Sequence, residues 1–452
     1  LEDFQKPEKW DTVWFNQWEP AEKTTQYAHS CYLYRFGTRL DKERQDTTNI
    51  DIEQVDKDLI PDFNLLVGGF PCQDYSVAST LASSKGLRGK KGILWWSIRD
   101  TIEQKQPPFI LLENVDRLLK SPAKQRGRDF GVILGCLRDQ GYSVEWRVLN
   151  AAEYGYQQRR RRVFIFAYKD TTKYAAKMQQ LIGAIDDEIE LKQHYGAILQ
   201  KEGFFAKTFP VAPIELKKTT SAQLPEEIGD LSEHFHFGFE NTGIMKEGIV
   251  YTVKTVPDYH GSQITLGDVM DDGEVDESYF IPEERLYYTD SSIIRSDETE
   301  ERLSKASRQT WQYLKGGKKL ARKASNGHEY IFSEGPIAMI DSYDKPARTM
   351  LTSEGNFSRT THIVKDKRTE KIRLLTANET ERIQGFPTDI TKYCLMNGEV
   401  VEMPIKKRRF MMGNALVVNL VEDMERTLSE IFEAEGETRK YIITIEETIV
   451  QD

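Results

Sequence analysis

The sequence predicts an α/β protein in two parts: a sheet covered by helices, and a second, smaller and less regular domain. Three observations carry this. Between about residues 11 and 169, short β-rich runs (TVWF, NLLVGGF, FILLENV, RVFIFAY) alternate with helical stretches such as GILWWSIRDTIEQ, the order expected of an α/β sheet. From residue 170 the pattern turns irregular, acidic from Asp268 to Glu284 and then basic through Lys305, Arg308, Lys315, Lys318, Lys319, Arg322 and Lys323. Beyond it, LLTANETERIQGFP sets Thr376 and Glu379 at capping-box spacing, and GNALVVNLVEDMERTLSEIF has the period of an amphipathic helix that should return to the first body. The expected division is residues 1–169 with 386–452 for the sheet-bearing domain and 170–385 for the other. The last run, YIITIEETIVQD, reads as an edge strand or a frayed tail.

Composition removes several classes. At 452 residues the chain can bury two cores. A net charge of −10 argues against uniform coating by nucleic acid and permits a local basic cleft. Cys31, Cys72, Cys136 and Cys394 form no CxxC pair, so a zinc or disulfide framework is not expected and a reducing, cytoplasmic setting is. No stretch of ~18 apolar residues spans a membrane, and no membrane association is expected. His234 and His236 in HFHF alternate as metal ligands might on a strand, but a third ligand is lacking and no metal is expected. The first residues, LEDFQKPEKW, read as the continuation of a longer chain.

The chemistry concentrates at the ends of apparent strands. Leu65, Leu66 and Val67 form a short apolar run, Gly68 and Gly69 permit a sharp exit, and Pro71 stiffens the loop that displays Cys72. Open α/β sheets bind their ligands beyond such carboxyl ends. The other three cysteines are read as small core hydrophobes. FILL runs into Glu113 and Asn114 at a neighbouring strand end, so two reactive groups can face one pocket. In QQRRRRVFIF, strand alternation sends Arg160 and Arg162 to one face and Arg159 and Arg161 to the other.

In that order, GFPCQ, ENV and QRRRR before an apolar strand resemble the DNA (cytosine-5)-methyltransferases, and LLTANETERIQGFP and MGNALVVN resemble that family's last two motifs. The resemblance covers about residues 11–168 and 345–422. It implies a Rossmann-like, S-adenosylmethionine-dependent methyltransferase sheet with a target-recognition domain, and duplex DNA in the cleft between them. By the same resemblance, Cys72 is the nucleophile that adds to carbon 6 of cytosine. Glu113 holds the base and donates a proton, Arg162 meets the cytosine carbonyl oxygen, and Arg160 meets the backbone or loop around the thiol. A thiol of ordinary pKa ~8.5 is only slightly ionised near neutrality, so cationic neighbours would help it.

The resemblance also implies a cofactor wall. Trp18 would stack on adenine; Gln17 stands where an acid usually binds the ribose, so that contact passes to Gln17 or to Glu19. Asp51, Ile52, Pro71, Leu94, Asn414 and Ala415 complete the pocket, with S-adenosylhomocysteine as product. The family's glycine-rich FxGxG loop is absent from the sequence and is expected upstream of Leu1. Residues 73–92 match the loop that closes on DNA, with Gln73 and Ser76 as contacts; Arg348, Thr349 and Arg359 are further DNA-binding candidates. The implied setting is a bacterial, monomeric modification enzyme, nucleoid-associated when bound to DNA, and partnered functionally with a separate restriction endonuclease. An RNA cytosine-5 methyltransferase and a catalytically silent DNA-binding relative are the alternatives. A thiol hydrolase is disfavoured because no histidine lies near the motifs.

Overall fold

The computed structural model describes residues 10–19, 25–37, 47–70, 93–183, 188–288, 307–323, 327–436 and 441–447. Its centre is a ten-stranded sheet in the order β2-β1-β16-β3-β4-β6-β5-β8-β9-β7. These strands are β1 (Asp11–Trp18), β2 (Thr47–Thr48), β3 (Leu65–Gly69), β4 (Phe109–Asn114), β5 (Tyr142–Asn150), β6 (Arg161–Lys169), β7 (Thr220–Gln223), β8 (Thr242–Lys246), β9 (Ile249–Val253) and β16 (Tyr441–Glu447). The first five in spatial order are parallel; from β4 onward every pairing is antiparallel.

Both faces of the sheet are covered, which is why its strands read as nearly continuous apolar runs. Leu66, Ile110, Leu112, Val163 and Ile165 face one core with Leu94, Trp95, Ile98 and Ile102 of α1 (Ile93–Lys105) and Phe130 to Leu137 of α2 (Arg128–Asp139). Leu65, Phe109, Leu111, Phe164 and Phe166 face the other. They pack against Tyr174, Ala175, Met178 and Ile182 of α3 (Lys173–Ile182) and Leu420, Met424, Leu428 and Phe432 of α4 (Val418–Glu435). The helix after Gly413 therefore does return to the sheet, and Trp10 Nε1 donates to its Glu425 at 2.7 Å.

Two findings depart from the sequence reading. Residues 441–447 of the C-terminal run form an interior strand and not an edge: β16 lies between β1 and β3, with Ile443 and Ile445 fully buried. A β-branched run such as YIITI suits a strand with helices on both faces. Gly68 fits the same placement, because a Cβ there would lie 2.9 Å from the Ile445 carbonyl oxygen. Second, residues 220–253, assigned from sequence to the irregular domain, add β7, β8 and β9 to the main sheet. β7, TSAQ, carries no apolar alternation and is exposed along most of its length, which hid it.

The rest of the second part is built from two-stranded ribbons, among them β10 (Lys318–Lys323) with β11 (Glu329–Glu334) and β12 (Ile363–Lys365) with β13 (Ile372–Leu374). Its apolar cluster of Leu266, Met270, Ala347, Met350, Val364, Leu375, Ile383 and Met412 is small, and buried ions supplement it. Arg373, fully buried, donates from both terminal nitrogens to the Glu379 carboxylate at 2.8 Å and from Nε to Asp366 at 3.0 Å. Glu379 also closes the predicted capping box with Thr376 at the helix Ala377–Ile383. Replacing Arg373 by alanine would strand two buried carboxylates, so a loss of about 3–5 kcal/mol is expected in denaturant unfolding.

Candidate active site

β3 and β4 run side by side with Gly69 opposite Glu113. A Cβ on Gly69 would lie 3.2 Å from Glu113 Oε2, so the carboxylate rests over the end of β3, three residues before Cys72 in the sequence. Asn114 fixes that exit: its Nδ2 donates to the Phe70 carbonyl at 2.7 Å, while its Oδ1 accepts from Val115 N at 2.8 Å. Sequence reasoning passed over Gly69 and Asn114 as functional residues. The glycine doublet and the Glu-Asn pair were their only signals.

β6 lies antiparallel to β4 on the other side, pairing Val163 with Asn114, and this brings Arg162 to the same end. Its Nε sits 2.7 Å from Glu113 Oε1. Burial pushes the Glu113 carboxyl above its ordinary range; the Arg162 and Arg160 charges and the hydrogen bond from Arg162 pull the other way and lose. The site therefore holds a carboxyl biased toward its neutral form beside a fixed cation.

The predicted alternation of the four arginines is seen. Arg159 and Arg161 are exposed, Arg161 pairing with Asp116 at 3.1 Å, while Arg160 is buried and Arg162 half-buried. Arg160, however, is a joint. Its terminal nitrogens donate to the carbonyls of Met350 at 2.8 Å and of Gly413 and Asn414 at 3.1 Å. Arg160 thus holds the sheet to the segment 347–350 and to the end of the helix Ile405–Asn414, so it is a positioning residue. Gly413 is part of the same junction, since a Cβ there would meet the Leu351–Thr352 backbone at 2.4 Å.

The segment 347–350 runs along 157–159 with Ala347 N donating to Gln157 O and Arg159 N to Ala347 O, both at 2.8 Å. Thr349 Oγ1 donates to Arg159 O at 2.5 Å. Two arginines expected from sequence to reach DNA have partners within the chain. Arg348 pairs with both Asp341 oxygens at 2.6 and 3.0 Å and donates to the carbonyls of Thr360 and Thr361. Arg359 donates to the carbonyls of Leu314, Gly316 and Gly335 and lies 3.4 Å from Glu334. Exposure cannot be read from a short run such as KPARTM, so these partners were not legible in the sequence.

At the far side of the sheet, the ends of β1 and β2 are tied through the Asn16 and Thr48 side chains at 2.6 Å, so Trp18 and Asp51 leave from one edge. Trp18 is half-buried and Gln17 buried. Glu19 is committed elsewhere: its carboxylate accepts from Ala28 N at 3.0 Å at the start of the helix Tyr27–Phe36. Asp51 accepts from Glu53 N at 3.0 Å through Oδ1. Ile52 and Leu94 are buried, Ala415 half-buried and Asn414 exposed. Pro71, Cys72, Gln73 and Ser76 lie outside the described residues. His234 ends a helix and, like His236, is exposed; among the described residues no group of three or more His, Cys, Asp or Glu side chains could hold a metal. Among them, too, no helix is long and apolar enough to cross a membrane.

An open α/β sheet that gathers a carboxyl and a guanidinium at its strand ends has the layout of an enzyme of the α/β class. The chain belongs to the C-5 cytosine-specific DNA methylases, whose sequence model matches residues 5–430. It is 40% identical over 424 residues to the type II methyltransferase M.Sau3AI of Staphylococcus aureus, a match covering 93% of this chain and 90% of that one. It is also 32% identical over 162 residues to the type II methyltransferase M.NgoBI of Neisseria gonorrhoeae, covering 36% and 45% of the two chains. Among solved structures, the Dnmt2 methyltransferase of S. pombe aligns over 94% of this chain and 91% of its own, with 14% identity and a TM-score of 0.49.

Proposed function

We propose that the chain transfers a methyl group from S-adenosylmethionine to carbon 5 of a cytosine swung out of a specific duplex DNA sequence, through a transient bond between that cytosine and Cys72. The observation that supports this best is the Glu113–Arg162 pair, 2.7 Å apart at the strand end next to the chain that carries Cys72. Cytosine carbon 5 is a weak nucleophile. Addition of the Cys72 thiolate to carbon 6, with a proton passed from the Glu113 carboxyl to ring nitrogen 3, turns the ring into an enamine whose carbon 5 can attack an electrophilic methyl. Loss of the carbon 5 proton to solvent and return of the ring nitrogen 3 proton to the Glu113 carboxylate then expel the thiolate and restore the ring. A carboxyl whose pKa burial raises is better suited to that donation than an ordinary one, and Arg162 stabilises the negative charge that builds on the cytosine carbonyl.

The residues at the β1–β2 edge fit S-adenosylmethionine: Trp18 offers a half-exposed ring for adenine, and Asp51 offers a carboxylate oriented by Glu53 N. When bound, the cofactor supplies the activated methyl group. A base inside a duplex is out of reach, so the cytosine must be extruded at a cost of a few kcal/mol, and residues 73–92 are assigned the closing loop. By analogy with its type II relatives, the enzyme marks DNA against a separate restriction endonuclease, acting as a cytoplasmic monomer.

Bisulfite sequencing of DNA from cells that express the protein tests this reading. Protection of cytosine within one recurring sequence context is expected. Unprotected DNA together with methylated RNA would instead make the enzyme an RNA methyltransferase.

A further inference from the structure

Lys57 is a buried cation that no step above uses, with only 8% of its surface exposed. An ammonium taken out of water is costly unless it finds partners. The chain around it forms two short turns, Ile52–Gln54 and Lys57–Leu59, capped by Asp51 and Asp56, whose carboxylates accept from Glu53 N and Asp58 N at 3.0 Å each. Lys57 opens the second turn and reaches back across the first. Its Nζ donates to Ile52 O and to Val55 O, the latter at 2.8 Å. The backbone closes the first turn with a long bond, Val55 N to Ile52 O at 3.3 Å, and the ammonium draws on the same two residues.

The apolar side of these turns is fixed separately. Ile52, Val55, Ile60 and Phe63 lie in one core with Leu94, Trp95 and Ile98 of α1. The charges that surround Lys57 are all acids. Burial pulls its pKa down, while the carboxylates of Asp100 on α1 and of Asp51, Glu53 and Asp56 in its own segment pull the other way and lose. Without the ammonium, two carbonyls lose a donor and these carboxylates lose their common cation.

We infer that Lys57 is a positioning residue for S-adenosylmethionine, holding the turn after Asp51 so that Asp51 and Ile52 are presented at the β1–β2 edge. The inference rests on the reading of that edge as the cofactor pocket. A neutral side chain could fill the same space without the desolvation that an ammonium costs. What the ammonium adds is a fixed path for the backbone: both carbonyls that it holds lie within four residues after Asp51, and Asp100 ties the same charge to the helix that carries Leu94.

The test is equilibrium binding of S-adenosylmethionine to the purified protein without DNA, for wild type, Lys57→Met, Asp51→Ala and the double variant. Lys57→Met keeps the side-chain length and removes the charge and its donors. It should weaken cofactor binding about tenfold, the scale of a hydrogen bond to a charged group. KM for the cofactor should rise by the same factor, with the loss absent from kcat at saturating cofactor. In the Asp51→Ala background the same change should cost much less, because the residue that Lys57 positions is gone. Wild-type affinity in Lys57→Met overturns the inference. So do losses that add in full, which are the mark of a residue that only supports the fold. If the methionine variant does not fold, Lys57→Gln, which keeps a donor, takes its place: a loss of about threefold is expected, and wild-type affinity overturns the inference. Wild-type affinity in Asp51→Ala itself removes the pocket reading, and the inference with it, so the two failures are separable.

Discussion

Cys72→Ala is expected to reduce methyl transfer by about 10⁴-fold or more, the scale of losing a nucleophile on which a unit of groups depends. The argument is chemical. Without addition at carbon 6 the ring offers no electron-rich carbon 5, and neither Glu113 nor Arg162 can substitute, because neither becomes a nucleophile toward carbon. Duplex binding should survive the change, since phosphate contacts dominate affinity and the thiol supplies none. Single-turnover transfer of labelled methyl, measured beside a binding titration of the same preparation, separates the two effects. Equal loss of binding and transfer would instead place Cys72 in the fabric of the site.

Glu113→Gln should lower kcat by roughly 10²- to 10⁴-fold, the range of a general acid, while leaving a hydrogen-bonding side chain over Gly69. The pH profile carries the sharper prediction. Burial raises the Glu113 pKa, and the active form is the protonated one, so wild-type kcat should fall as pH rises through that raised value. It should fall again on the acid side, where the Cys72 thiolate is lost, giving a bell. In the glutamine variant the alkaline limb disappears and the acid limb remains. Stability has the matching sign: a carboxyl whose pKa is raised in the folded chain favours folding most below its unfolded pKa, and that contribution is lost as pH climbs through the folded pKa. The variant should be correspondingly less sensitive to pH in denaturant titrations.

The sheet and the heart of the site were legible in the sequence for one reason. Strands buried on both faces announce themselves as apolar runs, and the residue just past such a run lies at the carboxyl edge, so FILL placed Glu113; Arg162, at the amino end of VFIF, reaches that edge because β6 runs antiparallel to β4. The alternation of the four arginines followed from strand geometry alone. What stayed hidden depended on contacts distant in sequence. Glu19 reads as an acid available to a ligand until the helix start that it caps is brought beside it, and Arg348 reads as a DNA contact until Asp341 folds onto it. β16 looked like a tail because its partners, β1 and β3, lie nearly the whole chain away. β7 was invisible because an exposed edge strand carries no apolar signal. Pattern reports burial against near neighbours and is silent about which distant partner does the burying.

The central claim is a covalent bond from the Cys72 sulfur to carbon 6 of the target cytosine, and a duplex containing 5-fluorocytosine tests it most directly. After methyl transfer to such a base, carbon 5 carries fluorine where a proton should leave, so the ring cannot expel the thiolate and the adduct persists. With S-adenosylmethionine present, the account predicts a protein–DNA species stable to denaturant, whose digested peptide bears the methylated fluoropyrimidine on Cys72. An enzyme that methylates ordinary duplex DNA yet forms no such adduct, or forms it on another residue, would contradict the account.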